Sequence, residues 1–351
     1  MSLKPLGAAD ALARLTTFDA VIDVRSEAEF AEDHLPGAVN WPVLNNDERI
    51  VVGTTFVQVS ALEARKIGAA LVARNIAAHL DREMPGLPRE WQPLVYCWRG
   101  GQRSGTMAWF LSQVGFRTAQ VVGGYKAYRA VVREQLDTLP GALSFTVLCG
   151  RTGSGKTRLL QALAAQGAQV LDLEGLAVHR GSVLGGVPGL AQPSQKAFES
   201  ALWDRLRGFD PARPVFVESE SAKIGVLRVP EVLLQRYRDQ GRCVVVELPD
   251  AERVRLLLEE YASFAADPQR FCALLDGLVE LRGRATVQRW QALAGEGQWA
   301  ACFAALMAEH YDPLYDRSMK RYFAALEGAP RLAVEEATAA AFDAAAARLL
   351  A

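Results

Sequence analysis

The sequence predicts two α/β domains in series, each on a mostly parallel sheet, with a helical extension at the C-terminus. Three observations carry that prediction. Apolar runs of strand length alternate with segments of helical spacing, joined by short connections. The alternation breaks once, at Leu139-Pro140-Gly141-Ala142, a turn-forming cluster that reads as a linker over 139–144. Each half then holds one glycine-rich loop between a strand signal and a helix signal. The expected domains are residues 1–138 and 145–351. A length of 351 residues suits two domains, and with half the residues hydrophobic each can bury a core.

In the first half, Ala20–Val24 is a short apolar strand and Glu27–Glu32 a polar helical turn. His34-Leu35-Pro36-Gly37-Ala38-Val39-Asn40 is a turn entering another strand. Residues 60–80 carry apolar positions at helical spacing and stop at Pro85-Gly86. Leu94–Tyr96 is a strand, Ser104–Gln113 a helix, Thr118–Val122 a strand closed by Gly123-Gly124, and Tyr125–Leu136 a helix. In the second half the expected strands are Phe145–Cys149, Gln169–Leu173, Val215–Glu218 and Cys243–Glu247. The expected helices are Lys156–Gln166, Ser194–Arg207, Glu231–Gln240 and Ala251–Ala262. From about Asp267 the chain reads as mainly helical, and its alanine-rich tail, Ala333–Ala351, as a terminal packing helix.

The first loop is Tyr96-Cys97-Trp98-Arg99-Gly100-Gly101-Gln102-Arg103-Ser104. It places one cysteine where a strand ends, in a glycine- and arginine-rich turn that opens a helix. Backbone N–H groups and the helix N-terminus then surround the sulfur. Their partial positive charge favours thiolate over thiol and can hold an oxyanion. Cys97 is therefore the candidate nucleophile, with Arg99, Gly100, Gly101, Arg103 and Ser104 as its anion-binding loop. An inert core thiol is the plain alternative, and two glycines and two arginines within six residues fit it badly.

The second loop, Gly150-Arg151-Thr152-Gly153-Ser154-Gly155-Lys156-Thr157, fits G-x-x-x-x-G-K-[ST] with a strand before it and a helix after it. Such a P-loop turns successive N–H groups toward a di- or triphosphate. Gly150, Gly153 and Gly155 allow the backbone path, Lys156 reaches the terminal phosphates, and Thr157 is placed to ligate Mg²⁺. The motif alone does not name the phosphate ligand. An acidic residue at a neighbouring strand end would complete the site, and Asp172 and Glu218 are the candidates, with Glu220 beside the latter. His179 and Arg180 open a long glycine-rich stretch that is either a second part of this site or a surface loop.

Basic clusters occur at Lys223, Arg228, Arg236, Arg238 and Arg242, at Arg282, Arg284 and Arg289, and at Arg317, Lys320 and Arg321, interleaved with Tyr237, Trp290, Tyr315 and Tyr322. They suit either RNA phosphates and unpaired bases or solvated helix faces. Overall charge decides nothing here, since 39 basic residues face 40 acidic ones. Five cysteines without a C-x-x-C pair argue against a disulfide framework or a cysteine-rich zinc site and suit a reducing compartment. With neither a signal-peptide core nor an apolar run long enough to span a bilayer, a cytoplasmic protein without a membrane partner is expected.

Over about residues 8–138 the chain resembles the rhodanese family. The matching pieces are Ile22-Asp23-Val24-Arg25, Glu29-Phe30, His34 to Asn40, the Cys97 loop, Gly115-Phe116 and Val122-Gly123-Gly124-Tyr125. That resemblance implies a rhodanese-like domain whose cysteine carries sulfur or selenium. Common sulfurtransferase loops run Cys-x4-Arg, whereas Cys97 to Arg103 is Cys-x5-Arg. This is the length found in dual-specificity phosphatases that share the rhodanese fold, and it suits a tetrahedral anion. A phosphatase is therefore one alternative reading, and a non-catalytic RNA- or nucleotide-binding regulator another. Tyr96 replaces the histidine that usually precedes a phosphatase cysteine.

Joined to a P-loop NTPase-like domain, the Cys97 loop resembles that of the tRNA 2-selenouridine synthase family. Glu218-Ser219-Glu220-Ser221 and His310-Tyr311-Asp312-Pro313-Leu314-Tyr315 extend the likeness along nearly the whole chain. The resemblance implies a transferase acting on tRNA in the anticodon region. At position 34, 2-thiouridine would be S-geranylated from geranyl diphosphate, and selenium from selenophosphate would then displace the S-geranyl group. It further implies that Cys97 attacks selenophosphate and holds selenium, while Arg99 and Arg103 bind the phosphate. The P-loop would hold the diphosphate of the prenyl donor, although the motif equally suits ATP. No tightly bound cofactor is expected beyond possible use of Mg²⁺. The geranyl chain needs an apolar cleft, and the helix at Ile67–Ile76, with Gly68-Ala69-Ala70, either lines it or is a plain core helix.

Overall fold

A computed structural model, which describes residues 3–351, divides the chain into two compact units. The first comprises the chain up to Gln135 together with Pro193–Asp204, and the second comprises Leu136–Gln192 and Arg205–Ala351.

The first unit runs β1 (Lys4–Leu6), α1 (Ala8–Ala13), β2 (Ala20–Asp23), α2 (Glu27–Glu32), β3 (Ala38–Asn40), α3 (Asn46–Gln58), α4 (Ala61–Glu83), β4 (Pro93–Tyr96), α5 (Gln102–Val114), β5 (Ala119–Val121) and α6 (Gly124–Ala142). Its five strands are parallel, in the order β1-β5-β4-β2-β3. Both neighbours of β4 cover it, which is why Leu94, Val95 and Tyr96 form an unbroken buried run. Ile22, Val24 and Val95 meet Met107, Ala108 and Leu111 of α5 in the core. Two helix starts carry reciprocal caps, Ser26 with Glu29 on α2 and Asn45 with Glu48 on α3.

The expected linker is not a break. α6 continues through Pro140 to Ala142, so the boundary between units falls inside a helix. Proline there removes one N–H near the helix end, where the loss is small, and Leu136 and Leu143 on either side are buried.

The second unit continues with β6 (Phe145–Cys149), α7 (Lys156–Ala165), β7 (Gln169–Leu171), α8 (Leu173–Ala177), α9 (Gln195–Leu206), β8 (Val215–Glu218), a short hairpin of β9 (Lys223–Ile224) and β10 (Leu227–Arg228), α10 (Glu231–Gln240), β11 (Arg242–Glu247) and α11 (Asp250–Glu260). A helical insertion follows: α12 (Ala262–Ala266), α13 (Pro268–Asp276), α14 (Val279–Arg282), α15 (Arg284–Gly295) and α16 (Trp299–Leu306). A π-helical turn, Met307–Tyr311, leads into α17 (Asp312–Tyr322), then β12 (Arg331–Ala333) and α18 (Ala339–Leu350). The parallel sheet has the order β12-β11-β6-β8-β7, with β6 at its centre.

Three local differences from the sequence reading have plain causes. The strand from Gln169 stops at Leu171, because Asp172 caps α8 by accepting from the Gly175 N–H. The alanine-rich tail begins as strand and becomes helix only at Ala339. Leu332 and Val334 bury against the sheet, and Ala337 N–H is held by Glu252. Most of α9 belongs to the first unit, although it lies in the half assigned to the second. There Asp33, 2 % exposed, accepts from Ser200 Oγ at 2.9 Å and Tyr125 OH at 2.8 Å. Among the described residues no helix is long and apolar enough to cross a membrane.

Candidate active site

Each glycine-rich loop leaves the carboxyl end of the central strand of its parallel sheet, where open α/β folds place their ligands. Cys97 follows β4 and Gly150 follows β6.

Around Cys97 the backbone is held from below. Gly100 has φ +63°, and a Cβ there would lie 2.3 Å from the Val121 carbonyl, so only glycine fits. The Cys97 and Trp98 carbonyls accept from the N–H groups of Tyr125 and Lys126 at 2.8 and 3.0 Å. By contrast, the N–H groups of Trp98 to Gln102 have no protein acceptor among the described residues. Ser104, fully buried, donates from Oγ to Cys97 Sγ at 3.2 Å and itself accepts from Gln120 Nε2 at 2.9 Å. Arg103 donates to Glu29 at 3.1 Å, and the same carboxylate faces Arg49 at 3.8 Å. These two cations outweigh the burial that would raise the Glu29 carboxyl, and its pKa lies below the usual value. Arg99 is exposed beside the cysteine. The result is a cleft of about 500 Å³ lined by Cys97, Trp98, Arg99, Gly101, Arg103 and Phe56.

A second cleft of about 600 Å³ shares Arg49, Phe56, Gln102 and Arg103 with the first. Its walls are Leu44, Val52, Ala64, Gly68, Ala69 and Val72 of the α3–α4 region. No residue of α3 is buried, and Ile50, Val51, Phe56, Val57, Val59 and Leu62 are each at least half exposed. These side chains form an exposed apolar patch beside the Cys97 loop, larger than scattered surface residues would give.

In the second unit Gly153 and Gly155 both have positive φ, and a Cβ on Gly155 would strike the Phe342 ring at 2.2 Å. Lys156 Nζ donates to the Gly150 carbonyl at 2.7 Å and lies 5.7 Å from the Tyr315 ring centre. The Tyr315 hydroxyl in turn accepts from the Gly150 N–H. Ser154 Oγ, in a residue 2 % exposed, has no partner among the described residues. Arg253 fixes the loop by donating to the Thr152 carbonyl at 2.8 and 3.0 Å while pairing with Asp312.

Thr157 Oγ1 lies 3.3 Å from Glu174 and 3.5 Å from Glu218. Carboxylate oxygens of Glu174, Glu218 and Glu220 all fall within 4.8 Å of one another. Burial and then the Glu220 charge push the Glu174 carboxyl up to about 8, while burial and then Glu174 push Glu218 well above the usual range. Burial likewise raises Glu220, against the pull of Lys156.

The sequence-predicted residues sort accordingly. Glu218 is fully buried at the strand end and Glu220 lines the P-loop cleft. Arg180 lines it too, with its guanidinium 5.2 Å from the Tyr261 ring centre, but His179 does not. His179 instead bridges to Gly186, with burial lowering its pKa. Asp172 serves as a helix cap. Glu174 was missed because the strand was drawn to Leu173, which hid the short helix α8 that carries Glu174. Tyr237 and Trp290, considered as stacking platforms for bases, are fully buried core residues. His310, Tyr311 and Tyr315 line the P-loop cleft, which gives the His310–Tyr315 motif a position. A further cleft of about 1090 Å³ borders Gly150 and Ser154 and includes Val246, Leu248, Met319, Phe323 and Leu326.

The chain matches two domain families, a rhodanese-like domain over residues 7–131 and the tRNA 2-selenouridine synthase AAA domain over residues 143–280. It is 33 % identical over 333 residues to a tRNA 2-selenouridine synthase of Alcanivorax borkumensis, covering 86 % of this chain and 90 % of that one. The protein of the same name from Aeromonas salmonicida is 34 % identical, covering 87 % and 88 %. That from Cronobacter sakazakii is 34 % identical, covering 89 % and 90 %. With both loops intact and likeness running along most of its length, the chain belongs to the tRNA 2-selenouridine synthase family.

Proposed function

We propose that this protein is a transferase that converts 2-thiouridine at position 34 of tRNA into 2-selenouridine through an S-geranyl intermediate. Geranyl diphosphate and selenophosphate are its cosubstrates. The observation that carries this reading is that the Cys97 anion-binding loop adjoins an apolar groove along α3 and α4. A phosphate-using enzyme needs only the loops, whereas an enzyme that attaches and then removes a prenyl chain needs an apolar groove as well.

Thione sulfur leaves carbon poorly, and S-alkylation turns it into a better leaving group. In the first step the P-loop N–H groups and Lys156 hold the diphosphate and stabilise charge as it departs. The donor chain would enter the cleft beside Gly150, where Val246, Leu248, Met319 and Phe323 lie among charged residues such as Arg151, Asp316 and Lys320. The thiouridine sulfur takes the geranyl carbon, and the uridine N3 proton is lost. A divalent cation suits the oxygen donors of Thr157, Glu174, Glu218 and Glu220, because it would offset the burial, and after it the mutual repulsion, that raise the Glu174 and Glu218 carboxyls. When bound, it would neutralise diphosphate charge.

In the second step Cys97 activates selenophosphate, whose oxygens are held by Arg99, Arg103 and the loop N–H groups. The groove along α3 and α4 receives the geranyl chain of the modified nucleoside. Selenium replaces sulfur at C2 and geranyl thiol is released.

Nucleoside mass spectrometry of tRNA treated with each variant tests the division of labour. Cys97→Ser is expected to accumulate S-geranyl-2-thiouridine without 2-selenouridine. Lys156→Ala is expected to lose about 10²–10³-fold in geranylation while still selenating pre-geranylated tRNA. Equal loss of both steps in Lys156→Ala would remove the prenyl donor from the P-loop.

A further inference from the structure

We propose that Cys97 is a phosphoryl acceptor: its sulfur attacks the phosphorus of selenophosphate, not the selenium, and sets selenide free beside the nucleoside. The inference rests on the reading above for its substrates and concerns how the Cys97 loop uses them.

Selenium is at the selenide level both in selenophosphate and in the C=Se group of the product, so the exchange requires no redox change. Attack of sulfur on selenium would leave the P–Se electron pair on phosphorus, release phosphite and raise selenium to the zero-valent level on Cys97. Selenium could then reach C2 as selenide only after a thiol supplied two electrons. Cys97 is the only cysteine of the first unit, because Cys149, Cys243, Cys272 and Cys302 all lie in the second. That unit therefore offers no resolving thiol to a selenium-loaded cysteine.

The loop is built for the other choice. Arg103 stands six residues beyond the sulfur, and its planar fork matches phosphoryl oxygens. Five consecutive N–H groups, Trp98 to Gln102, lack protein acceptors among the described residues. Phosphoryl transfer needs such positioning and charge stabilisation and little else. Ser104 follows Arg103; its oxygen accepts from Gln120 at 2.9 Å, and its hydroxyl donates to Sγ at 3.2 Å, with the Gly101 carbonyl a longer second acceptor at 3.4 Å. A proton donor aimed at sulfur assists its departure from phosphorus when the adduct is hydrolysed.

The steps balance. Cys97 thiolate forms an S–P bond, the P–Se bond breaks, and HSe⁻ leaves with the electron pair. HSe⁻ adds to C2 of S-geranyl-2-thiouridine, the C2–S bond breaks, and geranyl thiolate departs and takes a proton from solvent. The proton carried by selenium ends on N3. Water then attacks phosphorus, the S–P bond breaks back to thiolate, and phosphate is released with a proton. Water is the only further reactant.

The test is a single-turnover experiment with the full-length protein, S-geranylated tRNA and selenophosphate labelled with radioactive phosphorus, quenched in denaturant. The expected result is transient label on Cys97 and phosphate as the phosphorus product by NMR. In Ser104→Ala the labelled adduct should decay about 10²-fold more slowly, and Ser104→Thr should restore its turnover. Should Ser104→Ala fail to fold, label on the wild-type protein and the identity of the phosphorus product still decide. Phosphite as product, or selenium on Cys97 without phosphorus, overturns the proposal and leaves the selenium-transferase reading standing. Formation of 2-selenouridine with no label at any time overturns it as well, in favour of direct attack by selenophosphate on C2. If instead Cys97→Ser consumes selenophosphate at the wild-type rate, the wider reading of the site fails.

Discussion

At the scale of single residues, His310 shows how burial and one charge fix a protonation state. Its ring is 2 % exposed, and Nδ1 accepts from Arg282 Nε at 3.0 Å. A guanidinium offers only donors, so Nδ1 keeps its lone pair and the ring is neutral, with its proton on Nε2. Burial, then the Arg282 charge, hold the pKa down to about 4, against an ordinary 6.5. Below pH 6.5 the unfolded chain takes up a proton that the folded ring refuses. The resulting stability is complete above pH 6.5 and is lost as pH falls toward 4. The slope is at most about 1.4 kcal/mol per pH unit. Urea unfolding across this window should show the wild type losing stability more steeply than His310→Gln. Parallel profiles would mean that the imidazole is not kept neutral by the fold.

At the scale of elements, the regular strands were legible because a covered parallel strand reads as a plain apolar run. Phe145–Cys149 and Val215–Glu218 stand where expected. Both loops were legible for the same reason, being glycine-rich turns at the ends of such runs. α3 was not, since a helix that buries none of its residues has no apolar stripe facing a core. Its one signal was the cap, Asn45 with Glu48 three residues on. The exposed apolar face that makes α3 unreadable as a core helix is the one the proposed function assigns to the prenyl chain. Phe56 lines both clefts of the first unit and is 55 % exposed. Phe56→Ser should raise KM for S-geranylated tRNA about tenfold, roughly 1.4 kcal/mol of lost apolar contact. Stability should move by less than about 0.5 kcal/mol, as for other exposed positions. An unchanged KM would take the geranyl chain out of this groove.

At the scale of the whole molecule, the chain does not divide into the two halves that its motifs suggest. The pattern of α9 announces an amphipathic helix, but nothing in it states which sheet the helix covers, so sequence order was the only guide. Its position follows from side chains far away in sequence: Phe198, Leu202 and Trp203 are buried, and Trp203 packs edge-on against Tyr128 at 5.8 Å. Arg129 donates to Ser200 at 2.9 Å and pairs with Glu199, while Lys196 reaches Glu32 at 2.7 Å. The first unit is therefore complete only when residues 193–204 return to it. Trp203→Ala should cost about 3–5 kcal/mol, the usual range for emptying a buried indole site. Hydrogen exchange should locate that loss in the first unit, as faster exchange along α6 and around Asp33, with the amides of β6 and β11 keeping their protection. Loss spread evenly over both sheets, or confined to the second, would mean that α9 stabilises the unit to which sequence order assigned it.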